Sequence, residues 1–365
     1  VNTIKAALIC QGSVSSQWTI EAMKKYFEVV DELSIKHVET VIAEKSIEVL
    51  HHGTPLQPYD CIYAKGSYRY ESLLRSITEA CFDRCYMPIH PETFSIGHDK
   101  LLTHLALQRK NVPMPKTYVT TSIASTRGIL EKVTYPIIMK FTKGTQGKGV
   151  MFAESLTSAS TLLDAMDVLK QPLIIQEYIE TGGVDTRAFV IGDQVVAACR
   201  RSAAEGDVRS NIHAGAEGEK IMLDAKSRRI AVDTAQAVGA DICAVDMVQG
   251  PHGPLVLEVN LSPGLQGITK ISGVDIAAKI AAFLYEQTRL RKTSQKKEKE
   301  VAVLEELGIL GDKASTQKIS GMIVPAEMRG ERLLLPKNVT HVAELREKDE
   351  LQISVEKGKI DIRKL

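Results

Sequence analysis

A chain of 365 residues, 44% of them hydrophobic, is long enough for two or three compact units with filled cores. Its 46 Lys plus Arg against 45 Asp plus Glu exclude a global field that recruits nucleic acid or an anionic membrane, so a charged ligand has to be met locally. Six cysteines (Cys10, Cys61, Cys81, Cys85, Cys199, Cys243) form no C-x-x-C pair or zinc spacing, no apolar run approaches membrane-span length, and residues 1–15 carry no signal-peptide pattern; a cytoplasmic setting is expected.

Residues 4–10 (IKAALIC) read as a buried strand, and Ile20, Met23, Phe27 and Val30 follow at helical spacing, which predicts an α/β opening. Residues 59–63 read as a strand, 72–82 as a helix with Leu73, Leu74, Ile77 and Cys81 inward, and 87–90 as a third strand. "HPETFSIGHDK" breaks this pattern and sets an expected boundary near residue 95. A helix then runs over about 99–110 and ends before Pro113 and Pro115.

Residues 135–150 (YPIIMKFTKGTQGKGV) predict strand, glycine loop, strand. Gly144, Gly147 and Gly149 permit positive φ and let backbone N–H groups approach an anion, while Lys140, Lys143 and Lys148 add charge; phosphate is the natural ligand. The loop does not match G-x-x-x-x-G-K-[ST], and a flexible hairpin with solubilising lysines has the same composition. After an amphipathic helix (Leu162, Leu163, Met166, Leu169), "PLIIQEYIE" gives an apolar strand ending at Glu177 and Tyr178. It is a candidate edge for adenine and equally a buried strand end. "DTRAFVIGDQVVAACRR" predicts a hairpin turning at Gly192 and Asp193, followed by the loop-like "EGDVRSNIHAGA". Arg187, Arg201, Arg209 and Asn211 supply planar forks and amide donors suited to carboxylate or phosphate, although surface salt bridges use the same residues.

"CAVDMVQGPHGPLVLEVN" places two apolar runs around Pro251, His252, Gly253 and Pro254, an antiparallel connection. If the hairpin is centred on His252, Asp246 lies opposite Glu258. Alternation then sets Asp246, Glu258 and Asn260 on one face and Val245, Met247, Leu255, Leu257 and Val259 on the core face. Two carboxylates and an amide suit magnesium, or manganese, over zinc; a solvated polar face fits the pattern too. Farther on, "RLRKTSQKKEKE" reads as a charged linker or helix extension. Residues 351–365 alternate as a β-hairpin with Gly358 in its turn. Residues 319–365 hold nine Lys plus Arg against eight Asp plus Glu, a poor footprint for DNA.

The order of these features resembles the ATP-grasp ligases. "GTQGKGV", "QEYI", "EGDVRSNIHAGA" and "EVNLSPGLQGI" are similar to the RimK-type α-L-glutamate ligases, over roughly residues 1–288 and most densely over 96–275. The resemblance implies a mixed α/β fold. A charged linker (289–318) and a small C-terminal β-hairpin domain (319–365), whose L-P-K, K-D-E-L and G-K-I arrangement resembles the AbrB type, depart from that family, and the family resemblance covers an N-terminal α/β domain (1–95) and a two-lobed ATP-grasp core (96–183 and 184–288). It further implies that Lys100 and Lys140 hold ATP phosphates together with the Gly144 and Gly147 loop, and that Gln176, Glu177, Tyr178 and Ile179 line the adenine hinge. Asp185 would lie near the ribose, Arg209, Ser210 and Asn211 on the phosphate side, and Asp246, Glu258 and Asn260 on magnesium. Arg187 would face an acyl phosphate, with Arg209 beside it. The expected reaction joins an amino acid, by resemblance glutamate, to a carboxylate acceptor on a protein C-terminus or small molecule. "YAKGSYRYESLL" corresponds only loosely to the family and leaves the acceptor open. The small tail suggests a homo-oligomer or acceptor docking. The rival reading is a DNA-binding regulator or nucleotide or amino-acid sensor built on an ATP-grasp core.

Overall fold

β1 (Lys5–Cys10) buries five of its six residues, as a strand covered on both faces must. In the computed structural model, which describes residues 3–142, 149–167, 173–202, 217–306, 327–329, 332–334, 351–356 and 359–364, it leads into α1 (Val14–Met23) and the parallel β2 (Val29–Ser34). A separate antiparallel sheet follows, of β3 (Val38–Ala43), β4 (Ser46–His51) and β5 (Thr54–Pro55). β6 (Cys61–Ala64) then returns to the other side of β1, giving the order β2-β1-β6. The α/β opening stands, but α1 ends at Met23. Phe27 reaches the core from the turn beyond it and Val30 belongs to β2, so the helical spacing ran on past the helix by coincidence.

α2 (Glu71–Cys81) buries Leu74, Ile77 and Cys81. No third strand forms over 87–90. Pro88 has no N–H for a ladder, and its carbonyl instead accepts from Asp241 N at 2.7 Å, leaving isolated bridges at Tyr86 and Ile89. Residue 95 lies inside α3 (Pro91–His98), which starts on Pro91, buries Phe94 and sends the Thr93 hydroxyl to Val238 O at 2.6 Å. α4 (Lys100–Arg109) follows at once, capped by the Asp99 carboxylate accepting from Leu101 N and Leu102 N.

A four-stranded antiparallel sheet then forms in the order β7-β10-β8-β9, from β7 (Thr117–Thr120), β8 (Ile137–Phe141), β9 (Val150–Ala153) and β10 (Leu173–Glu177). α5 (Ile123–Leu130) and α6 (Leu156–Asp167) cover one face, making a separate core from Leu130, Ile137, Met139, Leu163 and Ile175 among others. Of the predicted glycine loop, residues 143–148 lie outside the described residues, while Gly149 takes the expected positive φ of +76°.

The second sheet has the order β13-β12-β11-β14-β15 and is antiparallel throughout: β11 (Val184–Ile191), β12 (Gln194–Ser202), β13 (Glu217–Lys220), β14 (Ile242–Gly250) and β15 (Gly253–Asn260). The β11–β12 turn requires Gly192. Its φ is +60°, and a Cβ there would lie 2.7 Å from Phe283. α7 (Ala225–Val238), α8 (Gln266–Ser272) and α9 (Ile276–Glu306) complete this part. Its core is continuous with that of the N-terminal sheet, from Ala6 and Leu8 through Phe189 and Val245 to Leu284.

The chain divides into two units, 1–297 and 298–365. The charged stretch after Arg289 takes the helix-extension form, inside α9. In the second unit, β16 (Glu327–Arg329) pairs with β17 (Arg332–Leu334), and β18 (Leu351–Glu356) with β19 (Lys359–Lys364), the hairpin expected there. No described helix is long and apolar enough to cross a membrane. All six cysteines are buried and free.

Candidate active site

The two larger sheets and the ends of β1 and β6 wall a cavity of about 580 Å³. From the four-stranded side come Lys140 on β8, Gln176 and Glu177 on β10, and Tyr178 and Ile179 just beyond. Lys100 enters from the first residue of α4. The five-stranded side supplies Asp185 and Arg187 on β11, Asp246 on β14, and Glu258 and Asn260 on β15. Gly144, Gly147, Arg209, Ser210 and Asn211 lie outside the described residues.

Strand register aligns the charges. Directly opposite pairs across β11, β12, β14 and β15 are Asp185 with Arg201, Arg187 with Asp246, and Asp246 with Glu258. Arg187 donates from Nε to Asp246 Oδ1 at 2.7 Å and from Nη2 to Oδ2 at 2.6 Å, a bidentate fork. Arg201 donates in the same way to Asp185 and also reaches Asp246 Oδ2 at 3.0 Å. Although burial opposes it, the two guanidiniums hold the Asp246 carboxyl well below the usual carboxylate range. Glu258 is in the opposite condition. Its side chain is exposed to the cavity, yet lies deep enough among protein atoms that desolvation, and then the Asp246 charge, raise its pKa.

The pairing of Asp246 with Glu258 depends on an irregularity. Gly250 pairs with Gly253 around a two-residue turn, so a regular ladder would put Leu257 opposite Asp246. A bulge at Leu257 advances β15 by one residue and brings Glu258 there. The same bulge corrects the predicted core face. Val256 is fully buried, whereas Leu255 and Leu257 are half-buried and Leu257 lines the cavity; Val245, Met247 and Val259 are in the core as expected.

The opposite wall is basic. Burial lowers the pKa of Lys140 to about 8, with nearby Lys100 pushing the same way and Glu258 opposing. Lys100 is also lowered by burial, against the pull of Glu258 and Asp99. Its backbone N–H donates to Thr142 O at 2.9 Å, fastening α4 to the end of β8. One turn on, His104 donates from Nδ1 to Lys100 O, so its Nε2 accepts from Gln176 Nε2 at 2.9 Å; burial keeps this ring neutral. The Gln176 amide nitrogen also donates to Thr117 Oγ1. Its donor capacity therefore locks β10 onto α4 and β7. His104 was missing from the sequence reading, although its i+4 spacing from Lys100 puts both on one helix face. Of the two readings of Arg201, ligand fork or salt bridge, the described bonds are ion pairs, to Asp185 and Asp246, and they are buried rather than on the surface.

The RimK-like ATP-grasp domain family matches residues 97–284. A Marinomonas sp. (strain MWYL1) protein named probable alpha-L-glutamate ligase is 33% identical over 288 residues, 77% of this chain and 95% of its own length. The chain belongs to the RimK-like ATP-grasp family. A Thioalkalivibrio sulfidiphilus (strain HL-EbGR7) protein of the same name is 41% identical over 201 residues, 54% of this chain and 67% of that one. The solved structure of the ATP-grasp ligase PsnB complexed with minimal precursor has a TM-score of 0.62 and 19% identity, over 79% of this chain and all of that one. The RimK domain protein ATP-grasp from Sphaerobacter thermophilus gives 0.60 at 18%, over 76% and 98%. At such identities these structures speak for the fold. As a RimK-like ATP-grasp chain, the protein is an ATP-dependent ligase.

The acidic side of this ATP-grasp site suits a divalent cation. Like charges directly opposite on adjacent strands destabilise a sheet, and a cation held by both carboxylates would relieve the Asp246–Glu258 pair. The donors are all oxygen. Among the described residues, Asp246 Oδ1 accepts one hydrogen bond and keeps a second lone pair, Asn260 Oδ1 accepts only from Ser262 N at 3.0 Å, and Glu258 accepts none.

Proposed function

We propose that this cavity joins a carboxylate to the amine of an amino acid through an acyl phosphate formed from ATP. The observation that carries the reading is the opposition, across one cavity, of Lys100 and Lys140 to the row Arg187, Asp246 and Glu258. A carboxylate oxygen attacks the γ-phosphorus and ADP leaves. The amine nitrogen then attacks the acyl carbon, phosphate leaves, and the nitrogen gives up its proton. Neither step needs a protein nucleophile; both need positioning and neutralisation of phosphate charge. Lys100 and Lys140 meet the phosphates, with Gly144, Gly147, Arg209, Ser210 and Asn211 assigned to the same end. The adenine lies along Glu177, Tyr178 and Ile179, with Asp185 toward the ribose. Arg187 uses Nε and one Nη2 proton on Asp246 and keeps three N–H donors for charge developing on the transferred phosphoryl and the tetrahedral intermediate.

Magnesium held by Asp246, Glu258 and Asn260 would supply Lewis-acid neutralisation of the phosphates, and manganese satisfies the same donors. One fold neighbour, PsnB, is described in complex with minimal precursor, Mg and ADP. L-glutamate is the proposed amino acid because the relatives are named for it. The acceptor is a protein C-terminus or a small carboxylic acid. Residues 96–183 act as the lobe that covers the nucleotide and 184–288 as the metal-binding lobe, with 319–365, AbrB-like by sequence, serving oligomerisation or acceptor docking.

Incubation of the full chain with ATP, magnesium and each amino acid, alone and with peptide or small carboxylate acceptors, tests the reading by nucleotide analysis and product mass. The expected result is ADP and phosphate in step with an amide product containing glutamate. Release of AMP and pyrophosphate overturns the acyl phosphate, and another amino acid in the product overturns glutamate alone.

A further inference from the structure

Lys65, at the end of β6, is a buried cation with no carboxylate paired to it among the described residues. It is only 5% exposed and lines the cavity. Among the described residues no carboxylate lies within ion-pair distance of it. Its ammonium instead sits 5.6 Å from the centroid of the Tyr63 ring, with the Cys10 thiol as its electrostatic neighbour. Lysine is seldom buried without a partner, because taking an ammonium out of water is costly and an opposite charge normally offsets that cost. The other buried cations treated above differ: Arg187 and Arg201 have their aspartates, and Lys140 faces Glu258.

The position of Lys65 is fixed by its surroundings. Its N–H donates to Ile9 O at 2.9 Å, continuing the β1 ladder. Gly66 N donates to Ser262 Oγ at 3.0 Å, and Ser262 N donates to Asn260 Oδ1 at 3.0 Å. Ser67 N donates to Gln11 Oε1 at 3.2 Å. The loop is thereby fastened to the turn that follows the strand carrying Glu258 and Asn260. Gly66 packs against the N-terminal core so closely that a Cβ would lie 3.2 Å from Leu74 Cδ1. A long side chain anchored in this way reaches the cavity from a wall that contributes none of the groups assigned to ATP.

We infer that Lys65 binds an ionised substrate carboxylate, on either the incoming amino acid or the acceptor, and so forms the substrate end of the cavity. The inference rests on the ligase reading for the identity of the substrates but not for the presence of the subsite. A carboxylate there gives the buried ammonium its counter-charge, and the Gly66–Ser262–Asn260 bonds hold that subsite beside the reacting end. A neutral amide of the same shape lacks the charge and should be rejected. Burial lowers the Lys65 pKa to about 8, so the ammonium is still mostly charged at neutral pH.

The test uses the full chain with magnesium and a non-hydrolysable ATP analogue, titrated calorimetrically with L-glutamate, with glutarate as a bare dicarboxylate, and with glutaramide. The expected result is binding of glutamate and glutarate but not glutaramide, weakened roughly 10- to 100-fold by Lys65→Met and within a few-fold of wild type in Lys65→Arg. Affinity for the ATP analogue should be unchanged in both variants, which separates a lost subsite from a misfolded chain. Equal glutarate affinity in wild type and Lys65→Met, equal binding of glutarate and glutaramide by the wild type, or no binding of either dicarboxylate overturns the inference. In turnover, a rise in KM confined to the amino acid assigns Lys65 to that substrate, and one confined to the acceptor assigns it to the other. A wild-type chain that binds glutarate through Lys65 yet releases no ADP with any substrate pair would sink the ligase reading and leave the subsite standing.

Discussion

The four-stranded and five-stranded sheets face the same cavity with opposite electrostatic strategies. On the five-stranded sheet, Arg187, Asp246, Arg201 and Asp185 neutralise one another before any ligand arrives, in pairs set by strand register. The four-stranded sheet presents Lys140 without an ion pair among the described residues, buried and with its pKa depressed to about 8. Their packing differs too. The five-stranded sheet shares the large core of the N-terminal domain, while the four-stranded sheet rests on its own small cluster. The arginine–aspartate row is thus pre-organised, while Lys140 keeps its charge unpaired among the described residues, as the proposed anion site requires. Such a division suits a site that clamps a polyphosphate between a fixed lobe and a covering one.

Substitutions at the two acidic positions should separate structure from chemistry. Asp246→Asn leaves Arg187 and Arg201 sharing one buried partner fewer, so stability should drop by about 3–5 kcal/mol, read as a lower denaturation midpoint, together with loss of ligation. Glu258→Gln should abolish ATP-dependent ligation while leaving the melting temperature unchanged or higher, because a neutral side chain no longer repels Asp246. Near-normal turnover of Glu258→Gln at saturating magnesium would remove Glu258 from the metal site. A stable Asp246→Asn variant would show that the arginine network is not what holds the five-stranded sheet's charged row together.

How much of this was legible in the sequence depended on whether the signal was local. Turn composition located the β14–β15 hairpin, and the acidic residues on it were visible. Their register was another matter: a hairpin centred on His252 and the observed two-residue turn differ by one residue, and only the bulge at Leu257 reconciles them. No run of residue types marks that bulge. Burial of Val256 in place of Leu255 and Leu257 is its consequence. The Arg201–Asp185 and Arg187–Asp246 pairs were likewise hidden, because they require knowing that β11 lies between β12 and β14. The β3–β4 hairpin was missed although its valines and isoleucines alternate; much of its surface is exposed, so no apolar run announced it. Lys65 was quoted only within a loosely matching segment. Its meaning comes from burial, which composition does not report.

On the basic wall, Lys140→Met should weaken ATP binding roughly 10- to 100-fold, since one charge-assisted phosphate contact is lost, while stabilising the ligand-free chain by removing a buried ammonium. A Lys140→Met variant that binds ATP normally would place the phosphates elsewhere.

The smallest expected effect is also the most specific to that wall. In the folded chain Lys140 has a pKa of about 8, below its ordinary 10.5, so folding disfavours its charged form. Linkage then fixes the sign: the stability associated with this lysine is absent below about pH 8, grows as the pH rises, and is complete above 10.5. The wild type should accordingly be less stable than Lys140→Met at pH 7, with the gap narrowing from pH 8 upward. Bound ATP reverses the preference, because its phosphates favour the ammonium. Binding should therefore take up protons near pH 8, and affinity should fall as the pH rises through that value, in the wild type more than in Lys140→Met. Calorimetry in two buffers of different ionisation heat measures the uptake directly. Equal proton uptake by both proteins would mean that Lys140 keeps the same protonation state when ATP binds, and that its depressed pKa plays no part in how the basic wall meets the nucleotide.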